Sequence, residues 1–474
     1  MLFTEPTSLF VFLPLVLAIS RFAPRTVCNY ALLVLSLLFY SLGESQFTHL
    51  LVISSLLNYA FGMGIELMQT RSLKKFVCGI GVLLNLSMLA WYKYLAFAIE
   101  NLNAVLGLFD VPQISTPEVI LPLGISFFSF QGLSYLLDVY SGQVKAERNP
   151  AYVILYIALF PQLIAGPIVR FSDIATDLRE RQVTLNDWSE GIRLFILGCA
   201  RKMLIANPVG ETADAIFSLE GSQLNGPVAW LGLITYALQI YFDFSGYSTM
   251  AVGIGRMLGF RFPQNFDDPY CATSMRDFWR RWHMSLSTWF RDYLYIPLGG
   301  NRGSSGRTAF NLCIVFLLCG LWHGASWNFL IWGGIHGLFL TLERTRWLEP
   351  ITRTVGINRI YTLTVVLTGW VFFRCDTLTD AMTFLTALSG TVSSPLSPDL
   401  FLSRTGMMAL CMGLLWSTPV FALTQKWSAE VCRTSTRSSL LHDAVALTGL
   451  TTLLLLTISQ AAANTFNPFI YFRF

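Results

Sequence analysis

Residues 310–325 read FNLCIVFLLCGLWHGA, an apolar run that ends in a histidine placed between a tryptophan and a glycine. Further apolar stretches recur along the chain at residues 27–42, 47–67, 119–140, 227–250 and 440–458. Each approaches the roughly 20 residues that an α-helix needs to cross the hydrocarbon layer of a bilayer. The pattern predicts an all-α, polytopic membrane protein.

The composition supports this class of protein. Of the residues, 54% are hydrophobic and 13% are charged, with a mean hydropathy of +0.54, whereas soluble domains carry about 25% charged residues. The first apolar stretch, residues 9–20, lacks a basic leader and a small-residue cleavage site, so we interpret it as the first span and not as a secretory signal. The net charge of +4 is scattered among apolar spans, which argues against nucleic-acid binding.

The nine cysteines form no C-x-x-C pair and show no zinc-ligand spacing. We therefore expect neither a metal site nor a bound cofactor. Small apolar fillers in membrane helices explain most of these cysteines.

Basic residues in the early loops predict the orientation, because cytoplasmic loops carry the excess of lysine and arginine. The first loop holds Arg21 and Arg25, and the third holds three basic residues at 71–75. The second loop and the fourth, residues 100–118, hold none. This alternation places the N-terminus outside the cytoplasm.

Beyond Pro150 the apolar pieces become short and are broken by proline and glycine. Irregular backbone at membrane depth survives only where protein or water covers it. We expect re-entrant or tilted pieces at residues 151–171 and 297–303, around a buried cavity. The chain is interpreted as one domain with N-terminal helices (1–118), a functional core (119–346) and C-terminal helices (347–474).

Apolar residues recur at spacings of three and four from Met275 to Tyr293, which predicts one amphipathic helix lying in the membrane interface. Its other face carries Arg276, Arg280, His283, Ser287 and Arg291. Two interpretations stand about equal. The arginines contact anionic headgroups, or they surround His283 at the mouth of a cavity and attract a phosphate-rich donor.

His323 is the leading candidate for chemistry, because an ionisable group at membrane depth is a functional-site hypothesis by default. A core histidine satisfied by its neighbours is the alternative. Cys319 lies one turn earlier, so a thiol nucleophile with a histidine base is a less favoured option. His336 would share a site with His323 only if the chain breaks between them, for which Gly333 and Gly334 are candidates.

Other polar and aromatic residues could line the predicted cavity. Asp243 lies inside an apolar span, where it either pairs with an arginine or the Tyr247 hydroxyl, or helps to shape a reaction chamber. Trp322 and Asn328 flank the glycine-containing segment around His323. We count them as possible cavity-lining residues together with His336.

Five motifs in order carry a resemblance to a known family. They are LPLGISFFSF at 121–130, FPQLIAGP at 160–167, YFDFSGYS at 241–248, FWRRWHMSLSTWFRDYLY at 278–295 and GLWHGA at 320–325. They resemble the membrane-bound O-acyltransferases (MBOAT), in particular the bacterial branch that acetylates alginate or cellulose. The likeness covers about residues 121–346, and five ordered motifs are far more specific than one.

The resemblance implies about 11 transmembrane helices, with re-entrant and interfacial helices, in a ring around a thin central funnel. His323 matches the catalytic histidine and would act as general base, and His283 matches a second catalytic histidine. The implied donor is acetyl-CoA from the cytoplasm, and Arg276, Arg280 and Arg291 on the basic helix face are the candidates to bind it. Two departures are Gln162, where many members have histidine, and Cys319, where glycine is common.

The resemblance also implies a setting in the bacterial inner membrane, with periplasmic acetyltransferase partner proteins and an exopolysaccharide such as alginate or cellulose. Two rival functions remain open. One is transfer of D-alanyl or another acyl group from a carrier protein to a cell-wall polymer. The other is a transporter or flippase, which we would expect to show a repeat that this sequence lacks.

Overall fold

The computed structural model describes residues 3–420, 436–463 and 470. These residues form helices joined by turns and irregular segments, with no strand in the described part of the chain. The predicted all-α class is therefore confirmed. Four helical stretches in the described residues are long and apolar enough to cross a membrane: Thr26–Leu67, Arg71–Gly107, Ser305–His323 and His442–Ala463.

The chain packs as two compact units. The first comprises Met1–Gly191, Ala251–Pro263 and Gly324–Ser326. It contains α1 (Leu13–Phe22), α2 (Arg25–Glu44), α3 (Thr48–Leu67), α4 (Arg71–Leu89), α5 (Leu95–Gly107), α6 (Ile125–Ser141), α7 (Pro150–Ala158), α8 (Phe160–Leu163), α9 (Phe171–Ile174) and α10 (Asp177–Glu180).

Helices α2 and α3 confirm the apolar stretches predicted at 27–42 and 47–67. The helix predicted at 119–140 begins only at Ile125. Pro122 disfavours helical backbone at Leu121, and Gly124, with left-handed backbone at φ of +75°, directly precedes the first helical residue. The stretch was correctly predicted as helical, but its beginning was placed six residues too early.

The segment at 151–171 is broken and buried, as predicted. The chain passes from α7 through the single turn of α8 into irregular backbone before α9. Side chains bond this backbone: the Gln162 amide donates to the Tyr156 carbonyl at 2.5 Å, and the Tyr156 hydroxyl donates to the Val169 carbonyl at 3.1 Å. Its depth in a membrane stays a prediction.

The second unit comprises Ile192–Met250, Gln264–His323 and Trp327–Phe474. Its helices, two of which begin or end in the first unit, are α11 (Leu185–Ala200), α12 (Asn207–Phe217), α13 (Gly226–Leu258), α14 (Met275–Arg281), α15 (Met284–Phe290), α16 (Ser305–His323), α17 (Trp327–Leu342), α18 (Glu349–Arg353), α19 (Ile357–Arg374), α20 (Leu378–Leu388), α21 (Arg404–Trp416) and α22 (Thr436–Ala463). Residues 297–303, predicted as a re-entrant piece, form a largely exposed turn before α16.

Helices α16 and α17 pack against each other at backbone distance. A Cβ added to Gly320 would lie 2.2 Å from the Phe329 carbonyl oxygen, and one added to Gly333 would lie 2.2 Å from that of Phe316. Only glycine permits this approach at either position. The chain between His323 and His336 breaks after His323 and not at Gly333, which lies within α17, so that prediction was wrong.

Candidate functional site

The helix predicted from Met275 to Tyr293 is broken in the middle, so the single-helix prediction was wrong. Helix α14 ends at Arg281, α15 begins at Met284, and His283 between them has left-handed backbone with φ of +43°. The loop at 265–267 binds the freed backbone groups. Asp267 N–H donates to the Arg281 carbonyl at 2.9 Å, and Met284 N–H donates to the Asn265 carbonyl at 3.0 Å. Positive φ is uncommon for a residue other than glycine and costs energy, so the surrounding contacts must hold His283 in this conformation.

The break turns the His283 side chain into the interior, where it is 0% exposed. Its Nδ1 lies 3.2 Å from the Asn265 side-chain oxygen. The ring packs edge-on against Phe244, with centroids 4.7 Å apart, and its centroid lies 6.5 Å from that of His323. The two candidate histidines are thus neighbours within one unit, although 40 residues separate them in the sequence.

His323 is the last residue of α16 and is 4% exposed. Its ring contacts three aromatic rings edge-on, at centroid distances of 4.9 Å to Trp322, 5.0 Å to Trp332 and 5.0 Å to Phe373. Beside it lies a cavity of about 10 Å³, lined also by Trp282, Trp370 and Ile470 among others. Such a volume is about what one water molecule needs.

A much larger pocket, of about 570 Å³, is lined by residues of α14, α15, α16 and α17 among others. We call it the basic pocket, because its wall includes Arg276, Arg280, Arg291 and Arg344. The predicted donor-binding arginines therefore lie around one pocket. The prediction that they surround His283 is wrong, because the buried His283 does not line it.

The basic pocket extends inward to Phe316 and Cys319 on α16. Cys319 lies one helical turn before His323, a rise of roughly 5–6 Å along the axis. The thiol lines the basic pocket, whereas the imidazole lines the small cavity. A molecule held by the arginines would thus have its inner end about one turn from His323.

Two side chains cap the start of α14 and so position the arginines. The Ser274 hydroxyl accepts from Asp277 N–H at 3.0 Å, and the Glu343 carboxylate accepts from the amides of Met275 at 2.5 Å and Arg276 at 3.2 Å. Burial raises the pKa of the Glu343 carboxyl, while the two amide hydrogen bonds oppose that rise. These caps satisfy amides that have no partner inside the helix.

His336 lies apart from both cavities. It is fully buried and its Nδ1 accepts a hydrogen bond from the Trp279 indole at 3.2 Å. The Trp332 ring contacts both histidines, with centroids 5.0 Å from His323 and 4.7 Å from His336. His336 lines neither the basic pocket nor the small cavity.

Asp243 pairs with a lysine, so the expected arginine or tyrosine partner was wrong. Its carboxylate lies 2.7 Å from the Lys202 ammonium nitrogen and accepts the Ile470 amide at 2.8 Å. Tyr247 is buried on the same helix. Asn328 donates to the Cys375 carbonyl at 2.7 Å and so ties the start of α17 to the end of α19.

Trp322, the other possible cavity-lining residue, is buried beside both histidines, with its ring centroid 6.0 Å from that of His283 and 4.9 Å from that of His323, and it lines neither the basic pocket nor the small cavity. Sequence reasoning missed Asn265 and Arg344. Arg344 follows an apolar helix together with Arg346, a signal that could have marked it. Asn265 lies in a loop 18 residues before His283 and carries no such signal.

A polytopic helical chain with two buried histidines beside an arginine-lined pocket has the features of an acyl-transferring membrane enzyme. The family model for the membrane-bound O-acyltransferase family, MBOAT, matches residues 38–375. The chain belongs to this family. It is a membrane protein and an O-acyltransferase.

Individual relatives support the assignment. The chain is 42% identical over 381 residues to the probable alginate O-acetylase AlgI of Azotobacter vinelandii, covering 80% of this chain and 76% of the relative. It is 32% identical over 466 residues to the peptidoglycan O-acetyltransferase of Helicobacter pylori, with 89% and 87% covered. It is 29% identical over 276 residues to the teichoic acid D-alanyltransferase of Bacillus subtilis, with 53% and 68% covered.

Proposed function

We propose that this enzyme takes acetyl groups from cytoplasmic acetyl-CoA and delivers them across the inner membrane for O-acetylation of an exopolysaccharide such as alginate or cellulose. One observation carries the proposal. The wall of the basic pocket includes Cys319, one helical turn from His323, and His323 lies beside a second buried histidine, His283. A charged donor bound in the basic pocket would therefore lie close to His323, the proposed proton acceptor on α16.

The arginines suit a phosphate-rich donor. Guanidinium groups bind phosphate oxygens through paired, charge-assisted hydrogen bonds. Among the described residues, the guanidinium groups of Arg276, Arg280 and Arg344 form no ion pair within 4 Å, whereas Arg291 pairs with Asp292. The phosphates of acetyl-CoA would bind at the open end, and the thioester would reach toward Cys319.

The chemistry requires a base and a leaving group. Neutral His323 would accept the proton of an acceptor hydroxyl while that oxygen forms a bond to the acetyl carbon. The carbon–sulfur bond then breaks, and the proton passes from His323 to the departing thiolate. General base catalysis of this kind typically contributes about 10²- to 10⁴-fold in rate. Buried surroundings strengthen the electrostatic part of such catalysis.

The sequence supplies the proposed orientation. Basic residues in the first and third loops put these loops in the cytoplasm and the N-terminus in the periplasm. Periplasmic acetyltransferase partner proteins would then complete the transfer to the polysaccharide. The ring of about 11 spans around a funnel, and the role of residues 119–346 as the catalytic core, are parts of the same proposal.

Transfer of D-alanyl groups from a carrier protein is the second candidate. The Bacillus relative supports it, but at 29% identity and lower coverage than the 42% identity to the alginate relative. A flippase without enzymatic activity is not proposed further, because the chain belongs to a family of acyltransferases.

The decisive experiment supplies labelled acetyl-CoA to the outside or the inside of liposomes that contain the purified protein. We expect the label to leave the thioester and appear in an ester on an added alginate or cellulose oligosaccharide, or in free acetate when no acceptor is present. D-alanyl-loaded carrier protein serves as the competing donor. Consumption of that donor with no use of acetyl-CoA would favour the second candidate.

A further inference from the structure

We propose that Asn265 is a positioning residue that fixes the tautomer of His283, so that the Nε2 atom of His283 presents a lone pair and not a proton. The role rests on the proposed function only in that both rings, whose centroids lie 6.5 Å apart, would contact one acceptor once the small cavity beside His323 widens. The observation itself concerns hydrogen bonds that hold whichever acyl donor is used.

The orientation of the Asn265 amide is set by main chain. Its side-chain oxygen accepts from the Ser285 backbone N–H at 3.1 Å and from the Ser285 hydroxyl at 2.9 Å. A backbone N–H can only donate, so the atom that faces it must be the oxygen of the amide. The two ends of the Asn265 amide are therefore not interchangeable.

The tautomer of His283 follows from that orientation. Its Nδ1 lies 3.2 Å from the same Asn265 oxygen. An oxygen that has no proton can only accept, so Nδ1 must carry the hydrogen. A neutral imidazole has one N–H, and Nε2 is thereby left as an acceptor. Nε2 is buried and has no hydrogen-bond partner among the described residues.

Asn265 also holds the backbone on which the ring is mounted. Its carbonyl accepts from Met284 N–H, and the His283 carbonyl accepts from Ser287 N–H at 3.0 Å. The left-handed conformation of His283 is thus fixed on both sides. One loop residue controls both the place of the imidazole and the site of its proton, as outer-shell partners do for histidines in metal sites.

This tautomer limits what His283 can do. Neutral Nε2 can receive a hydrogen bond from a hydroxyl of the acceptor, but it cannot donate one to the oxyanion of the tetrahedral intermediate. His283 therefore orients the acceptor, while His323 takes the proton of the attacking oxygen. Because Asn265 is neutral, the pair differs from an aspartate–histidine couple, which would also stabilise an imidazolium.

The test compares two substitutions with a matched control. Asn265→Leu removes the acceptor, and Asn265→Asp keeps an oxygen at the same place. Asn311→Leu is the control, because Asn311 is as buried as Asn265, at 2% exposure. Asn311 lies in the first half of α16, away from His323 at its end, and donates to the Gly300 carbonyl. All variants are purified, and transfer is expressed per folded molecule.

We expect Asn265→Leu to lower kcat by about 10- to 100-fold, the usual effect of removing a partner that orients a functional histidine. The KM for the donor should change little, Asn265→Asp should recover most of the rate, and Asn311→Leu should match the wild type. An unchanged kcat in Asn265→Leu, or no recovery in Asn265→Asp, would overturn the proposal.

A second measurement does not depend on activity. Solid-state NMR of the protein in liposomes, with ¹⁵N-labelled histidine, reports which ring nitrogen carries the proton, and the signal lost in His283→Gln assigns the residue. We expect an Nδ1–H tautomer in the wild type and a mixture in Asn265→Leu. An Nε2–H tautomer in the wild type would refute the role of Asn265. Failure of acetyl transfer with the expected tautomer would refute only the proposed function.

Discussion

The carboxylate of Asp243 lies 2.7 Å from the ammonium nitrogen of Lys202, and the two side chains are 2% and 4% exposed. Removing one partner leaves a buried charge without its counterion. We expect Lys202→Met or Asp243→Asn to lower the free energy of unfolding by about 3–5 kcal/mol, and the double variant to recover much of that loss. Thermal unfolding of the purified variants measures both effects.

The same set of variants separates structure from chemistry at Asp243. If the ion pair serves folding, activity per folded molecule should be close to normal in the double variant. A double variant that folds normally but transfers no acetyl would show instead that Asp243 helps to shape the reaction chamber.

His323→Ala should lower acetyl transfer by about 10²- to 10⁴-fold, because the general base is removed while the buried aromatic neighbours remain. The liposome assay with labelled donor measures it. His442→Ala is the matched control, since His442 lies on α22 with its side chain 43% exposed. Normal acetylation by His323→Ala would remove this residue from the mechanism.

Arg280→Ala should raise the KM for the donor by roughly tenfold. An effect of this size is small for the loss of a charge-assisted hydrogen bond, because the Arg280 side chain is exposed to solvent. The KM for the acceptor should stay the same. Arg353→Ala serves as control, because Arg353 is exposed and pairs with Glu349 away from the basic pocket. An unchanged donor KM in Arg280→Ala would exclude this arginine from donor binding.

Cys319 tests how the donor reaches the histidine. Cys319→Ala should keep nearly full activity, because the mechanism uses no thiol. Cys319→Phe should reduce donor turnover strongly, since the larger side chain fills the inner end of the basic pocket. Loss of activity in Cys319→Ala would revive the thiol nucleophile, and normal turnover in Cys319→Phe would place the thioester elsewhere.

Orientation can be measured with two single substitutions in exposed loops. Gln69→Cys should react with a membrane-impermeant thiol reagent from the cytoplasmic side, and Gln113→Cys from the periplasmic side, because basic residues follow only the first of these positions. Reactivity is counted above that of the unsubstituted chain, in which Cys411 is exposed. The reverse pattern would place the N-terminus in the cytoplasm.

Apolar period and length were sufficient to predict α2, α3 and the apolar run of α16 that leads to His323, but not the end of α16 at His323. They failed at His283, because Phe278, Trp282 and Leu286 keep a spacing of four across the break and all remain buried. The break depends on hydrogen bonds to the loop around Asn265. Because this loop lies many residues before His283, it produces no pattern in the sequence near the break.

Three arginines of the basic pocket, Arg276, Arg280 and Arg291, were predictable because they share one local segment with a regular spacing; Arg344 lies outside that segment and was missed. The partner of Asp243 was not predictable, because Lys202 lies on a different helical segment of the same unit. Tertiary pairing of this kind is visible only once the chain is folded.

Backbone contact between Gly320 and Phe329 leaves α16 no room to move closer to α17. Under the proposed function, the end of α16 could therefore not move toward α17 to make room for a sugar hydroxyl beside His323. The small cavity beside His323, which is about the size of one water molecule, must widen by rotation of the aromatic rings in its wall. These rings include Trp282, Trp370 and Phe373. The rate of turnover would then depend on how fast those rings rotate. The size of the acceptor alcohol, and not the basicity of the His323 imidazole, would decide which alcohols enter the cavity.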